Sequence, residues 1–334
     1  TITPAGDAIV YTGIDAEGRS TLLLQRLDAA EPTEIPGATS LRSPEISRDG
    51  RWLVGFSSNS AFRLPLEGGT PKQLPDRVAR AAIGSWSPNG AYWFTDANVS
   101  GTAQLTPDDS IIPLPREKAR GLRLNQVLGD ARTALAVSAP AGTASGPGVL
   151  LDLTTGDVTP LVEGPVLELR FVLGELLSML PDGSLTATPF DLPSRRATGP
   201  PVQIATGISI TGSGVSQFAV ADNGTVAYIP EAPRSLVLVD RSGAARPALE
   251  QRLNFHAPMF SPDGRRLSFD VVGGDGRDVW VLSLDQGTTS RATFERDGHD
   301  ATWTPDGRFL TYVSFKSGPL GIYRTRPGST APAD

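Results

Sequence analysis

The chain has 334 residues, of which 39% are hydrophobic and 20% charged, with a net charge of −6 and no cysteine. This is the composition of an ordinary globular chain able to bury a core, and it excludes disulfides, thiol catalysis and cysteine-based zinc or iron–sulfur sites. No Lys/Arg run tracks phosphates, so nucleic acid is not an expected partner, and no stretch reaches the ~18–20 apolar residues of a spanning helix. Residue 1 is Thr rather than Met, which reads as a processed protein or part of a longer one.

In chain order, a short apolar run breaks repeatedly on nearly the same turn. The clear copies are Ser47-Arg48-Asp49-Gly50, Ser87-Pro88-Asn89-Gly90, Ser261-Pro262-Asp263-Gly264 and Thr304-Pro305-Asp306-Gly307. Pro pre-sets the first corner, Asp or Asn caps it locally, and Gly takes the left-handed closing position. Degenerate copies end near Gly6, Ala131, Gly174 and Gly224. Eight units, with turns near residues 6, 50, 90, 131, 174, 224, 264 and 307, therefore cover 1–334 as one repeat domain. A period of about 40–50 residues with four short strands per unit is the grammar of a β-propeller.

Four strands are predicted in most units. The second reads LRSPEIS, RWLVGFS, AFRLPLE, TPKQLPD; the sixth reads SQFAVAD, TVAYIPE, RSLVLVD, ARPALEQ. The seventh reads HAPMFSP, RRLSFDVV, DVWVLSL and TTSRATFE, with a turn at Gly273-Gly274-Asp275-Gly276. Only RFVLGELLSML comes near helical periodicity, and its glycine and repeat register make it a hairpin. The eighth unit offers ATWTPD, RFLTYVS and LGIYRTR, then trails into PGSTAPAD. The fold class is thus all-β, an eight-bladed propeller of antiparallel blades, or seven-bladed if the terminal unit forms no proper blade. A three-stranded last blade leaves an outer edge able to pair with another chain.

The segment PMFSPDGRRLSFDVVGGDGRDVWVLSLDQGTTSRATFERDGHDATWTPDGRFLTYVS resembles the WD-like repeats of TolB-type β-propellers. It is closest in kind to propeller regions of bacterial serine/threonine receptor kinases and related envelope proteins. The likeness is sharp over 253–325, good over 41–95 and 216–240, and weak over 96–215. It implies a propeller outside the cytoplasmic membrane that binds proteins or small ligands, and it brings no catalytic residues. Kinase signatures are absent from the sequence.

The two histidines, His256 and His299, each stand five residues before a turn Ser or Thr. The same count gives Arg42 and Arg123, so these four form a candidate ring at one channel mouth for an anionic group or a partner's peptide. The plainer reading is that they cap strand starts and hydrogen-bond loop carbonyls. Trp86 and Trp303 directly precede turns and read as core, with Trp93 and Trp280 similar and Trp52 less so. The acidic groups Asp275-Gly276-Arg277-Asp278 and Glu295, Asp297, Asp300 read as solvated turn carboxylates rather than calcium loops. The loop SAPAGTASGPG at 138–148 is long and flexible.

No G-x-S-x-G elbow or room for an α/β catalytic domain is present, and nothing selects a carboxylate pair. The expectation is a non-catalytic, extracytoplasmic protein-binding module without cofactor or metal, a platform or subunit in a membrane-associated assembly. The alternative is the ligand-sensing domain of a receptor kinase, and a hydrolase of unrecognised type is the remote one.

Overall fold

The computed structural model describes residues 1–328 except 16, 97–100, 115–120, 140–143, 212–213, 274–275, 297 and 315–320. Asp275 and Asp297, part of the 138–148 loop, and the end of the PGSTAPAD tail fall outside the described residues. The described residues form no α-helix; they are antiparallel strands joined by turns, with a single 3₁₀ turn at Val78–Arg80. The chain is an all-β propeller of antiparallel blades. Its contacts group into two compact units, Thr1–Ile229 and Pro230–Asp334.

The repeated turn is built as its residues dictate. In three copies the hydroxyl of Ser47, Ser261 or Thr304 donates to the carboxylate of Asp49, Asp263 or Asp306 at 2.5, 2.5 and 2.6 Å. The same hydroxyls accept the amides of Trp52, Arg266 and Phe309 five positions on. Gly50, Gly264 and Gly307 close the turns at φ of 71°, 68° and 66°, where a Cβ would crowd the following carbonyl. Those local bonds hold the Asp263 and Asp306 carboxyls below the usual range; the Ser261 and Thr304 hydroxyls are the main cause in each.

In the first unit, sheets of three, four, four, four, five and two strands succeed one another over 8–34, 42–73, 81–113, 122–166, 168–205 and 218–228. Each buried cluster joins two successive sheets. Strands apolar on both faces make this possible, because successive side chains point oppositely. Leu53 packs toward the first sheet and its neighbour Val54 toward the third. Phe94 packs back toward the second sheet and Trp93 forward to the fourth. Leu135 and Ala136, then Leu176 and Leu177, divide between their neighbours in the same way. Trp86 is buried as expected, yet it also donates its indole N–H to the Glu45 carbonyl of the preceding sheet at 3.1 Å.

This unit closes on itself. The Asp222 amide donates to the Pro4 carbonyl at 3.1 Å, and the Asn223 side chain donates to the Ala5 carbonyl at 2.8 Å. The predicted hairpin at 170–180 is present, with Glu168–Val172 paired to Glu175–Met179.

The second unit holds a five-stranded and a three-stranded sheet. Here the sequence reading of the sixth repeat is corrected. Phe218–Val220 and Val226–Tyr228 stand as a two-stranded sheet, while Arg234–Val239, assigned by sequence to the same blade, pairs with Ala245–Phe260. That 16-residue strand runs through the expected boundary between repeats, its far half pairing with Arg266–Gly273. Irregular pairing near Ser235–Val237 and His256–Met259 lets it serve both partners, as a bulge bends a strand. Val279, Val281, Trp303, Leu310 and Tyr312 form the core between the two sheets. Trp303 repeats the role of Trp86, donating to the Met259 carbonyl at 3.2 Å. The last sheet, His299–Trp303, Leu310–Ser314 and Gly321–Thr325, has three strands among the described residues.

Candidate functional site

At the centre of the first unit, side chains from inner strands reach one repeat along the chain and bind their neighbours. Gln126 accepts from the Phe171 amide at 2.6 Å and donates to its carbonyl at 3.1 Å. Asn125 accepts from the Leu169 amide, and Ser85 accepts from the Val127 amide. Arg170 bonds Glu168 through Nε at 2.8 Å and donates to the Asn125 carbonyl at 2.6 Å. The Ser216 hydroxyl closes on the other Glu168 oxygen. Across the middle, Arg48 donates to Asp222 at 2.8 Å and to the Val127 carbonyl at 2.9 Å.

These groups leave a cavity of ≈ 90 Å³ lined by Glu45, Arg48, Ser85, Gln126, Arg170 and Asp222, among others. It is well below the ~300 Å³ at which pockets begin to enclose a drug-sized ligand. Burial raises the Glu45 carboxyl to about 7, an effect that Arg170 opposes and Glu168 reinforces. The arrangement can hold a proton or a few waters at Glu45.

The second unit gathers charge differently. Asp270 is fully buried; its Oδ2 accepts from Arg277 at 2.6 Å and from the Asp300 amide at 2.9 Å. Arg277 also pairs with Asp300 at 3.2 Å. The Oδ1 of Asp270 and the Nε of Arg277 are buried without a partner. Burial raises the Asp270 carboxyl. Nearby, the buried Asp278 carboxylate takes Arg291, the Thr293 hydroxyl at 2.7 Å and the Arg296 amide at 3.3 Å. The expectation of solvated turn carboxylates is therefore wrong for Asp278, which is an internal hydrogen-bond hub, while Asp300 keeps 60% side-chain exposure beside Arg277.

The four residues singled out by sequence fall in both units. Arg42 is exposed at the start of its strand, opposite Phe56. Arg123 is half-buried and donates to the Ala144 carbonyl; burial lowers its guanidinium below the ordinary value. His256 lies opposite Asp270 in the strand register and contacts the Asn254 side chain at 3.1 Å. Burial first, then Arg277 and Arg234, lower its imidazole. His299 is half-buried at the start of the next sheet, opposite Val313. Sequence reasoning missed Glu45, Gln126, Glu168, Arg170 and Asp270. For those in the first unit the signal was their partners' spacing: Asn125–Leu169, Gln126–Phe171 and Trp86–Glu45 are separated by 44, 45 and 41 residues, about one repeat each.

No family profile matches the chain. An uncharacterized protein of Agrobacterium fabrum is 25% identical over 95 residues, 28% of this chain, and the match spans 32% of that relative's length. Among solved structures, TolB from Acinetobacter baumannii is 12% identical with a TM-score of 0.39, covering 99% of this chain and 66% of that one. The Swd1 β-propeller domain of Myceliophteria thermophila is 14% identical with a TM-score of 0.41, covering 96% and 95%. A puromycin hydrolase mutant is 17% identical with a TM-score of 0.47, covering 94% and 57%. These likenesses are of fold alone. Among the described residues, no group of three or more His, Asp or Glu could hold a metal ion, and no helix is long and apolar enough to cross a membrane.

Proposed function

We propose that the chain is a non-catalytic, extracytoplasmic protein-binding propeller, acting as a platform or subunit of a membrane-associated assembly. The observation that carries this reading is the outer strand of the last sheet. Gly321–Thr325 pairs with Leu310–Ser314 on one side and has no strand on the other among the described residues. Ile322 on it is 79% exposed. Several other sheets end on outer strands of two or three residues, such as Thr33–Glu34, Lys72–Gln73 and Ile111–Pro113, the usual way of blunting an edge. The five-residue edge at 321–325 contains no proline and no acidic residue, so it retains the backbone groups that another chain can pair with. The test is gentle cross-linking of the tagged protein in membranes of its native host. A stoichiometric set of proteins linked to this sheet or to one face supports the reading; a clean monomer without neighbours overturns it.

A second reading, the ligand-sensing domain of a receptor kinase, is favoured by the unpartnered Oδ1 of buried Asp270 beside His256. Ligand screening with Asp270→Asn as the control tests it, and hits that bind both forms equally would dismiss it.

A further inference from the structure

The edge at 321–325 carries a charge pattern of its own. Along the strand, Ile322, Arg324 and the following Arg326 are exposed, while Tyr323 and Thr325 turn inward. Tyr323 packs on the core between the sheets, which fixes this alternation. The guanidinium carbons of Arg308, Arg324 and Arg326 lie 5.9, 4.7 and 5.3 Å from the Phe309 ring centre. A fourth, Arg266, stacks over Trp303 at 4.4 Å and donates to the Gly307 carbonyl of the same turn at 2.7 Å. The carboxylate of that turn, Asp306, accepts the Thr304 hydroxyl and the Arg308 amide. One ring attracts cations weakly at an exposed site, and three guanidinium groups sharing it repel one another. The local fold thus gathers four arginine side chains, Arg308 and Arg326 among them, beside a strand edge with no partner strand among the described residues, in a chain whose net charge is −6.

We infer that this edge takes an acidic, extended segment of a partner protein. The inference rests on the platform reading and specifies the partner's chemistry. A strand added along Gly321–Thr325 places alternate side chains on the Ile322/Arg324 face, each about 4.5–5.5 Å from the residue opposite. An apolar residue there meets Ile322, and carboxylates two and four positions along meet Arg324 and Arg326, with Arg308 flanking. Arginine's forked donors suit carboxylates in pairs. Backbone pairing supplies affinity that is indifferent to sequence, and the arginines select acidic sequences.

The experiment uses the full chain and a fluorescein-labelled Val/Glu peptide of about eight residues, in which every second residue reads Val, Glu, Glu along one face and the residues between are Thr, followed by fluorescence anisotropy at low salt. The same peptide with Lys for Glu, the Glu peptide N-methylated along one edge, and a single-stranded oligonucleotide of equal charge are the comparisons. The Val/Glu peptide is expected to bind, and the Lys peptide to fail. N-methylation and the triple variant Arg308→Gln/Arg324→Gln/Arg326→Gln are each expected to weaken binding by about tenfold or more. An unchanged thermal melt of the triple variant shows that its fold is kept; should it melt early, Ile322→Glu, which puts a like charge on the same exposed face, replaces it. Absence of binding, or binding that ignores the variants or N-methylation, overturns the inference. So does equal binding of the oligonucleotide. In the membrane cross-linking, partners retained in full by the triple variant sink this inference and leave the platform reading standing; no partners for the unaltered protein sink the platform reading itself.

Discussion

Arg170, on the first strand of its sheet, and Arg277, on the fourth strand of a five-stranded sheet, meet different surroundings. Arg170 in the first unit divides its donors between Glu168 and the Asn125 carbonyl, inside a seam where Gln126, Asn125 and Ser85 also bond the backbone of neighbouring sheets. Arg277 in the second faces two carboxylates, and it leaves its own Nε and the Asp270 Oδ1 without partners. The first arrangement fixes neighbouring sheets to each other largely through neutral amide and hydroxyl groups, and its carboxylates, Glu168 and Asp222, each face an arginine. The second concentrates ionisable groups on few strands, so its stability depends on each charge keeping its partner.

The largest effect expected from this contrast is at Asp278. Asp278→Ala leaves the buried Thr293 hydroxyl without its acceptor and takes the carboxylate from the half-exposed Arg291 and the Arg296 amide, at a cost of about 3 kcal/mol. Urea denaturation measures it, and a loss below about 1 kcal/mol would mean that the hub is hydrated rather than internal.

Next comes the pH dependence of Glu45, at the centre of the first unit. Its folded carboxyl is raised from 4.5 to about 7. Between these values the folded state binds the proton more readily than the unfolded chain, so stability falls as pH rises through that window and stays lower above it. Glu45→Gln is expected to gain about 2 kcal/mol at pH 8 and to flatten the slope between pH about 4.5 and 7. Asp270, raised in the same direction, leaves part of the slope in place. Parallel pH–stability curves for the two proteins would remove Glu45 from the account.

A smaller effect tests the seam. Gln126→Ala removes two cross-sheet hydrogen bonds and is expected to cost about 1–2 kcal/mol with no change in pH slope; a change in slope would mean that the seam and Glu45 are coupled. The smallest lies in a degenerate turn, where Ala131 stands at φ 55° in the place that glycine holds elsewhere. Ala131→Gly relieves about 1 kcal/mol of strain, partly offset by unfolded-chain entropy, so a net gain of about 0.5 kcal/mol in the melting curve is expected.

The turns were legible because Ser47, Asp49 and Gly50 determine one another within a few residues. The doubly apolar strands were legible because burial on both faces leaves a compositional trace. The separation of 226–228 from 234–239 was not, since local pattern gives strands without saying which neighbour each joins, and the single strand 245–260 erased the expected boundary. At the candidate site, Arg42 and His299 open their strands and Arg123 is second in its own, as the repeat count predicts, whereas His256 lies inside the long strand 245–260. Glu45, Gln126 and Arg170 escaped because their meaning lies in partners one repeat away. The fate of Asp278 escaped because a carboxylate two residues after a glycine turn reads as solvated unless Arg291 and Thr293 are known to face it.

Arg48 reaches Asp222 across 174 residues of chain, and this has a consequence for how the first unit is made. During synthesis the seam bonds can form progressively, each new repeat docking on the last, whereas the contact between Arg48 and Asp222 must await the end of the unit. Closing so long a loop is entropically slow and comes after most of the packing is in place. Arg48 is then a latch set last, and its loss as Arg48→Met should quicken unfolding while leaving the refolding rate nearly untouched.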